Sequence, residues 1–471
     1  MGVTELLIDL GIATPAQEPY SASIELREHQ TYERLVPASY DDAIFNQIFA
    51  SFDAAVKQGL VELEMALARA GGFHLKLRTA STVGHSVVSD NDKRIFLVVR
   101  PKVPAVRILQ LALAAENLPS WKADLTTGAD TDESTIEWTI AAFIAAVQDL
   151  LSTGGVRSSH ERVKDELQAR VRGRLLTVPY VRNVALGKPD KVPCEFGALH
   201  VDNVANRLIR WSLHVCALIA RELPKAEQTL AKLRRLDLSF SGVPLVIIPP
   251  RDLANVISLP AGFRHYRAAL SWAHVILRRF NLDARMGSYS APSVSLDMNK
   301  LYEAAFYNLL RKHAPSAERQ VNWPINFTTT DESVSRRALY KPDVFIPASA
   351  GRSAVVLDTK WKKTKPKLLD GAPDDVAFAA QATQLVPIDT GDLYQLTSYV
   401  LEAMTKEAGS CVGMLVYPTL GRVDTWTRSV AIGPKVAAIH LVGWDVSVAP
   451  QDGVEKVWQH IDSNREILVP N

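Results

Sequence analysis

Two rhythms of apolar and polar positions run along this chain. Val344-Phe345-Ile346 and Ala354-Val355-Val356-Leu357 are short unbroken apolar runs, with Gly351 and Arg352 between them. Runs of that length around turn residues predict the two strands of a hairpin. Val412 to Tyr417 predicts another strand. Phe73–Leu77 and Ile95–Val99 predict two more, with a turn at Asp90-Asn91-Asp92 leading into the second. Elsewhere the apolar residues recur at helical spacing. Between Asp297 and Lys312, residues Met298, Leu301, Ala305 and Leu309 fall along one side. Asp389-Thr390-Gly391-Asp392 offers N-caps for a helix running through Tyr399. The same spacing predicts helices over Tyr40–Ala70, Val106–Ala115, Ser134–Leu151, Asn203–Leu223, Lys225–Leu236 and His265–Phe280.

These elements sort into three expected regions. Residues 1–160 form a mixed α+β N-terminal region, closed by Thr153-Gly154-Gly155. Residues 161–285 form a helical middle, punctuated by Pro249-Pro250. Residues 286–471 form an α/β core with a mixed central sheet, so the chain is α+β overall.

Composition allows two or three cores: 471 residues, 47% hydrophobic and 22% charged. The net charge is only +2, so any affinity for a polyanion has to be local. From Arg336 to Lys367 there are nine Lys or Arg against two Asp, and Lys360 to Lys367 interleaves Trp361 with five lysines. Such a strip suits sequence-independent, salt-sensitive contact with a DNA backbone, which makes Lys341, Lys362, Lys363, Lys365 and Lys367 DNA-binding candidates. The plainer alternative is a solvated loop.

Cys194, Cys216 and Cys411 form no CxxC pair, which argues against a disulfide framework or a zinc ribbon and points to a reducing cytoplasm. Cys216 and Cys411, in apolar surroundings, read as core thiols. Met1 to Leu10 lacks the basic start and long apolar stretch of a signal peptide, and no uninterrupted apolar window of about 18 residues predicts a membrane span. No G-x-x-x-x-G-K-[ST] is present, so the chain is not itself a P-loop motor. The histidines form no H-x-H or HExxH group; His214 and His274, on helical patterns, read as core or boundary residues.

The chemistry gathers around the hairpin. Lys341-Pro342-Asp343 stands just before its first strand, and Asp358-Thr359-Lys360 ends the second. Side chains alternate along a strand, so Asp358 and Lys360 share a face. Two carboxylates and an ammonium at one end of a sheet suit a hard divalent cation such as Mg²⁺ and the hydrolysis of a phosphodiester. Asp343 and Asp358 are then metal ligands, the Thr359 carbonyl a third, and Lys360 a fixed charge acting on water and phosphate. Glu303, flanked by apolar residues on the upstream helix, is a carboxylate that calls for a partner. Gln395 and Tyr399 are four apart and share a helix face, where amide and phenol suit a phosphate or a water.

In this order and spacing, a helix with Glu303, Pro342-Asp343, Asp358-x-Lys360 and Gln395-x-x-x-Tyr399 resembles the PD-(D/E)xK nuclease superfamily. More narrowly the chain resembles the McrC family of McrBC modification-dependent restriction systems. Asp392 to Tyr399, Leu415-Val416-Tyr417-Pro418, Met298 to Glu303, Val171 to Leu175, Pro193 to Phe196, Asp202 to Leu208 and Val99 to Val103 are similar to that family's segments. The first forty residues and Asn117 to Gly155 match poorly. The resemblance implies a restriction-endonuclease-like core and a Mg²⁺-dependent DNA endonuclease subunit with Asp343, Asp358 and Lys360 at its centre. Glu303, Gln395 and Tyr399 would assist. It also implies that the N-terminal region docks on, and stimulates, a separate AAA+ GTPase ring that reads modified double-stranded DNA. The alternatives are a stand-alone repair nuclease of the same superfamily and a non-catalytic adaptor that only activates an AAA+ ring.

Overall fold

The computed structural model describes residues 2–16, 19–38, 43–69, 71–118, 135–224, 226–248, 261–279, 281–282, 294–328, 335–349, 351–362, 390–407, 409–419, 425–432 and 435–465. It divides into two compact units. One joins Met1–Trp138 with Asn281–Asn471, and the other is Thr139–Phe280. The N-terminal and C-terminal parts of the chain therefore share one unit.

In the first unit, an N-terminal sheet is ordered Thr14–Pro15, Ala22–Arg27, Lys93–Arg100, Thr82–Asp90, Val294–Asp297, Asn281–Leu282. Its fifth strand comes from far down the sequence and pairs antiparallel with Thr82–Asp90. A smaller antiparallel sheet sets Phe73–Arg78 between Thr31–Val36 and Glu62–Leu67. The long helix expected over Tyr40–Ala70 is only Ala43–Lys57. Gly59 then takes a left-handed backbone, φ +68°, that breaks the helix. Beyond it, Glu62 and Glu64 alternate with Leu63 and Met65, which pack on the core, so the period there is two and the segment is a strand.

The C-terminal sheet is ordered Glu318–Arg319, Val344–Ile346, Ala354–Thr359, Cys411–Thr419, Lys435–Asp445, Thr425–Ile432. It is mixed, as expected. The hairpin is antiparallel with Val344 opposite Leu357, and Gly351 supplies a left-handed turn residue, φ +75°. Ala354–Thr359 then runs parallel to Cys411–Thr419, which runs parallel to Lys435–Asp445. Every residue of Ala354–Thr359 is buried, which accounts for its unbroken apolar run: a strand covered on both faces cannot alternate. Burying each Val or Leu side chain contributes about 1.5–3 kcal/mol, and this pulls the polar end of the strand inward with it. Helix Met298–Leu310, with Asp297 as its N-cap accepting from the Asn299 and Lys300 N–H groups, contacts Ala354–Thr359. Helix Thr390–Lys406 lies against both central strands, packing Leu396, Tyr399, Val400 and Ala403 into the core.

The second unit holds helices Val204–Ala220, Glu227–Leu238 and Arg267–Arg279, close to expectation. It also holds a three-stranded antiparallel sheet of Ser159–Gln168, Lys191–His200 and Arg174–Leu175 that the helical spacing does not show. Helix Ile136–Thr153 is long and apolar enough to cross a membrane by length and composition alone, and 56% of it is buried within the protein, as in a core helix. All three cysteines are free and buried, His274 is buried, and His214 stacks on Trp211.

Candidate functional site

The hairpin brings the expected residues together at one end of the C-terminal sheet. Asp358 closes its strand with 2% of its surface exposed. Its Oδ2 lies 2.7 Å from Lys360 Nζ, confirming that residues two apart share a face. That contact is a charge-assisted ion pair, and it leaves the Asp358 carboxylate buried against a single ammonium. Asp343, half-buried on the neighbouring strand's approach, accepts from both the Thr359 N–H and the Thr359 hydroxyl, at 2.7 Å each. Thr359 thus braces one carboxylate while its neighbours in sequence carry the other carboxylate and the amine.

The helix Thr390–Lys406 closes one side. Lys360 Nζ donates to Gln395 Oε1 at 2.9 Å, and Gln395 Nε2 donates to the Tyr399 hydroxyl at 2.7 Å. Gln395 is exposed and Tyr399 buried, its ring edge-on to Tyr340 at 5.7 Å. Tyr399 therefore anchors the amide, and the amide orients the lysine. The helix Met298–Leu310 supplies Glu303 on another side. Its Oε1 accepts from Gln320 Nε2 at 2.6 Å and from Arg319 Nε and Nη2 at 3.2 and 3.1 Å. This is the partner that its apolar flanks call for.

Electrostatics bind these groups into one cluster. Burial, then the negative charges of Asp358 and Glu303, push the Asp343 carboxyl up to about 7. Burial also raises Asp358, with Lys360 pulling the other way. For Lys360 burial alone would favour the neutral amine, but the Asp358 carboxylate, with Asp392 and Asp343 behind it, holds the ammonium above its ordinary range. Two carboxylates this close, each pushed up by burial, make a hard-oxygen donor set whose charge a divalent cation would relieve. Among the described residues no three His, Cys, Asp or Glu side chains form a complete metal cage. The donor set fits a Mg²⁺-like ion that takes its remaining ligands from water and phosphate.

Some residues fall differently from expectation. Trp361 is not an aromatic on a DNA-facing strip: it is 1% exposed, and its indole N–H donates to Glu28 at 2.7 Å. Lys362 is tied up, giving 2.9 Å contacts to both oxygens of buried Asp392. Lys341 is exposed, and Lys363, Lys365 and Lys367 lie outside the described residues. Asp392, which reads as an N-cap candidate, sits inside the first turn of its helix, 3.9 Å from Lys360 Nζ. Sequence reasoning also passes over Arg319, Gln320 and Glu28; an acid in the first turn was the one available signal, for Asp392.

Comparison with known proteins gives the chain's family and a shared fold. A family profile described as McrBC 5-methylcytosine restriction system component matches residues 77–418. No curated protein matches the chain. Among solved structures, a chain of the refined half-complex from a tetradecameric assembly of Thermococcus gammatolerans McrB AAA+ hexamers with bound McrC shares the fold, with a TM-score of 0.55 at 17% identity. That alignment covers 93% of this chain and 100% of that one. A chain of the cryo-EM structure of the Thermococcus gammatolerans McrBC complex aligns with a TM-score of 0.42 at 18% identity, over 61% of this chain and 87% of that one. The family profile spans well over half of the sequence and takes in Glu303, Asp343, Asp358, Lys360, Gln395 and Tyr399 together, so the chain belongs to the McrBC 5-methylcytosine restriction system component family.

Proposed function

We propose that this chain is the Mg²⁺-dependent DNA endonuclease subunit of a modification-dependent restriction complex, working with an AAA+ GTPase ring. The observation that carries the reading is the meeting of Asp343, Asp358, Lys360 and Gln395 at one end of the hairpin. The assembled partner follows from the family and from the fold shared with a complex of McrB AAA+ hexamers with bound McrC. The N-terminal region would dock on the ring and stimulate its GTPase, and the three free thiols suit the cytoplasm.

Asp343, Asp358 and the Thr359 carbonyl would hold the cation. When bound, it supplies charge neutralisation at the scissile phosphate and polarises the phosphoryl group. The chain's own residues do the rest. Thr359 keeps Asp343 pointed at the site. Lys360 keeps its proton beside Asp358 and would offer a fixed positive charge to the phosphate as a water oxygen bonds to phosphorus and gives up a proton to bulk water, and one P–O ester bond breaks, its oxygen taking up a proton from water to leave as a hydroxyl end. Gln395 and Tyr399 hold that charge in place.

The test is cleavage of modified duplex DNA by the purified chain with the ring, GTP and Mg²⁺. Asp358→Ala should abolish cutting and leave ring binding and GTPase stimulation intact. Cutting that persists in this variant, with contaminating nucleases excluded, overturns the reading.

A further inference from the structure

Glu28, just past the end of the strand Ala22–Arg27, is a carboxylate with no exposed side-chain area. Its Oε2 accepts from the Trp361 indole N–H at 2.7 Å, across 333 residues of sequence. Its Oε1 accepts from the Lys102 backbone N–H at 3.2 Å. The Lys102 ammonium sits 4.4 Å from the centre of the Trp361 ring. Tyr302 packs on the same indole, with ring centres 5.1 Å apart. A buried knot of N-terminal and C-terminal residues thus surrounds one side chain.

The position of that knot matters. Trp361 directly follows Lys360, and Tyr302 directly precedes Glu303. The backbone N–H of Lys360 still donates to Val416 at 3.0 Å, so the chain is held in register up to the lysine and gripped immediately after it. A phenylalanine would keep an aromatic ring in this pocket, though a smaller one than the indole. What it would lack is the N–H, and a hydrogen bond from it to a buried carboxylate is directional where apolar packing is not. A side chain acting on a phosphate has to be placed to within a fraction of an ångström, and a small displacement is costly in rate.

We propose that Glu28 is a positioning residue for Lys360: through the Trp361 indole it fixes the lysine against Asp358, and it makes cleavage depend on the N-terminal sheet. The assignment rests on the endonuclease reading above. It gives the N-terminal sheet a part in the cutting step itself, separate from docking.

The test compares full-length wild type, Glu28→Ala, Glu28→Gln, Trp361→Phe and Asp358→Ala, each with the ring, GTP, Mg²⁺ and modified DNA, in single turnover. Glu28→Ala and Trp361→Phe should slow the cleavage step about ten-fold or more. The DNA concentration for half-maximal rate and the GTPase stimulation should not change. Glu28→Gln keeps one acceptor oxygen, which can serve the indole while its NH₂ group faces the Lys102 N–H, and should recover part of the rate. Should Glu28→Ala not fold, Trp361→Phe and Glu28→Gln carry the comparison. Wild-type rates in both Glu28→Ala and Trp361→Phe overturn the proposal. So does a loss of cutting that tracks loss of DNA affinity and melting temperature and that Glu28→Gln does not repair. An inactive wild type, or cutting by Asp358→Ala, brings down the endonuclease reading and this proposal with it.

Discussion

Lys360 Nζ stands 2.7 Å from Asp358 Oδ2 and 2.9 Å from Gln395 Oε1, so one ammonium bridges the hairpin and the helix beside it. Its place is set from two sides, by a charge and by an amide. Lys360→Met keeps much of the length and removes the charge. Loss of a preorganised group of this kind costs about 10²–10³ in rate. Single-turnover cleavage should fall by about that factor, with GTPase stimulation unchanged; a fall under about three-fold would remove Lys360 from the chemistry.

Asp343 sets a pH dependence. Its carboxyl titrates at about 7 in the folded, metal-free protein, against about 3.9 in an unfolded chain. The folded state binds the proton more tightly, so the stability this group contributes is full below about pH 4 and is lost as pH rises through about 7. Asp343→Asn has no such loss. In metal-free buffer, wild-type melting temperature should drop relative to that variant across this window, and Mg²⁺ should bind more tightly as the proton leaves. Calorimetry with and without Mg²⁺ checks both, and parallel curves for the two proteins would contradict the assignment.

Among the described residues, Tyr399 reaches the site through Gln395. Tyr399→Phe keeps the buried ring and deletes the hydroxyl that accepts from the amide. A lost hydrogen bond of about 0.5–1.5 kcal/mol predicts a two- to roughly ten-fold slower cut. Gln395→Ala, which strips Lys360 of an acceptor, should be slower than Tyr399→Phe. The reverse order would mean that the hydroxyl meets substrate directly.

Gly413 lets the helix carrying Gln395 lie close on the central strand. A Cβ there would stand 2.5 Å from Val400 Cγ2 and 3.3 Å from Leu396 Cδ2. Gly413→Ala should therefore overpack the core, at about 1–3 kcal/mol, and lower the melting temperature. Cleavage should suffer along with stability, because Leu396 neighbours Gln395. Unchanged melting would show that the helix shifts freely.

Much of this was legible in the chain. The hairpin showed itself because both its strands are buried runs around Gly351, and the acids because Asp358 and Lys360 share the strand period. The helix of Glu303 showed its apolar side. What stayed hidden was decided at long range. Trp361 sits among lysines and looks like a surface residue; burial came from Glu28, Lys102 and Tyr302, which no local spacing connects to it. Glu62–Leu67 looked like the tail of a helix because Leu, Met and Glu favour helices, and its pairing with Phe73–Arg78 overrode that preference. The strand Ser159–Gln168, largely polar and exposed, has no apolar stripe to give it away.

The strand Val294–Asp297 hydrogen-bonds to Thr82–Asp90 and leads without a break into the helix of Glu303. A fragment beginning at residue 286 would carry every acid of the hairpin yet leave that strand with a bare edge and its helix start unmoored. The hairpin's half of the chain is thus not a detachable blade: the early residues are its handle, holding the strand from which the Glu303 helix starts.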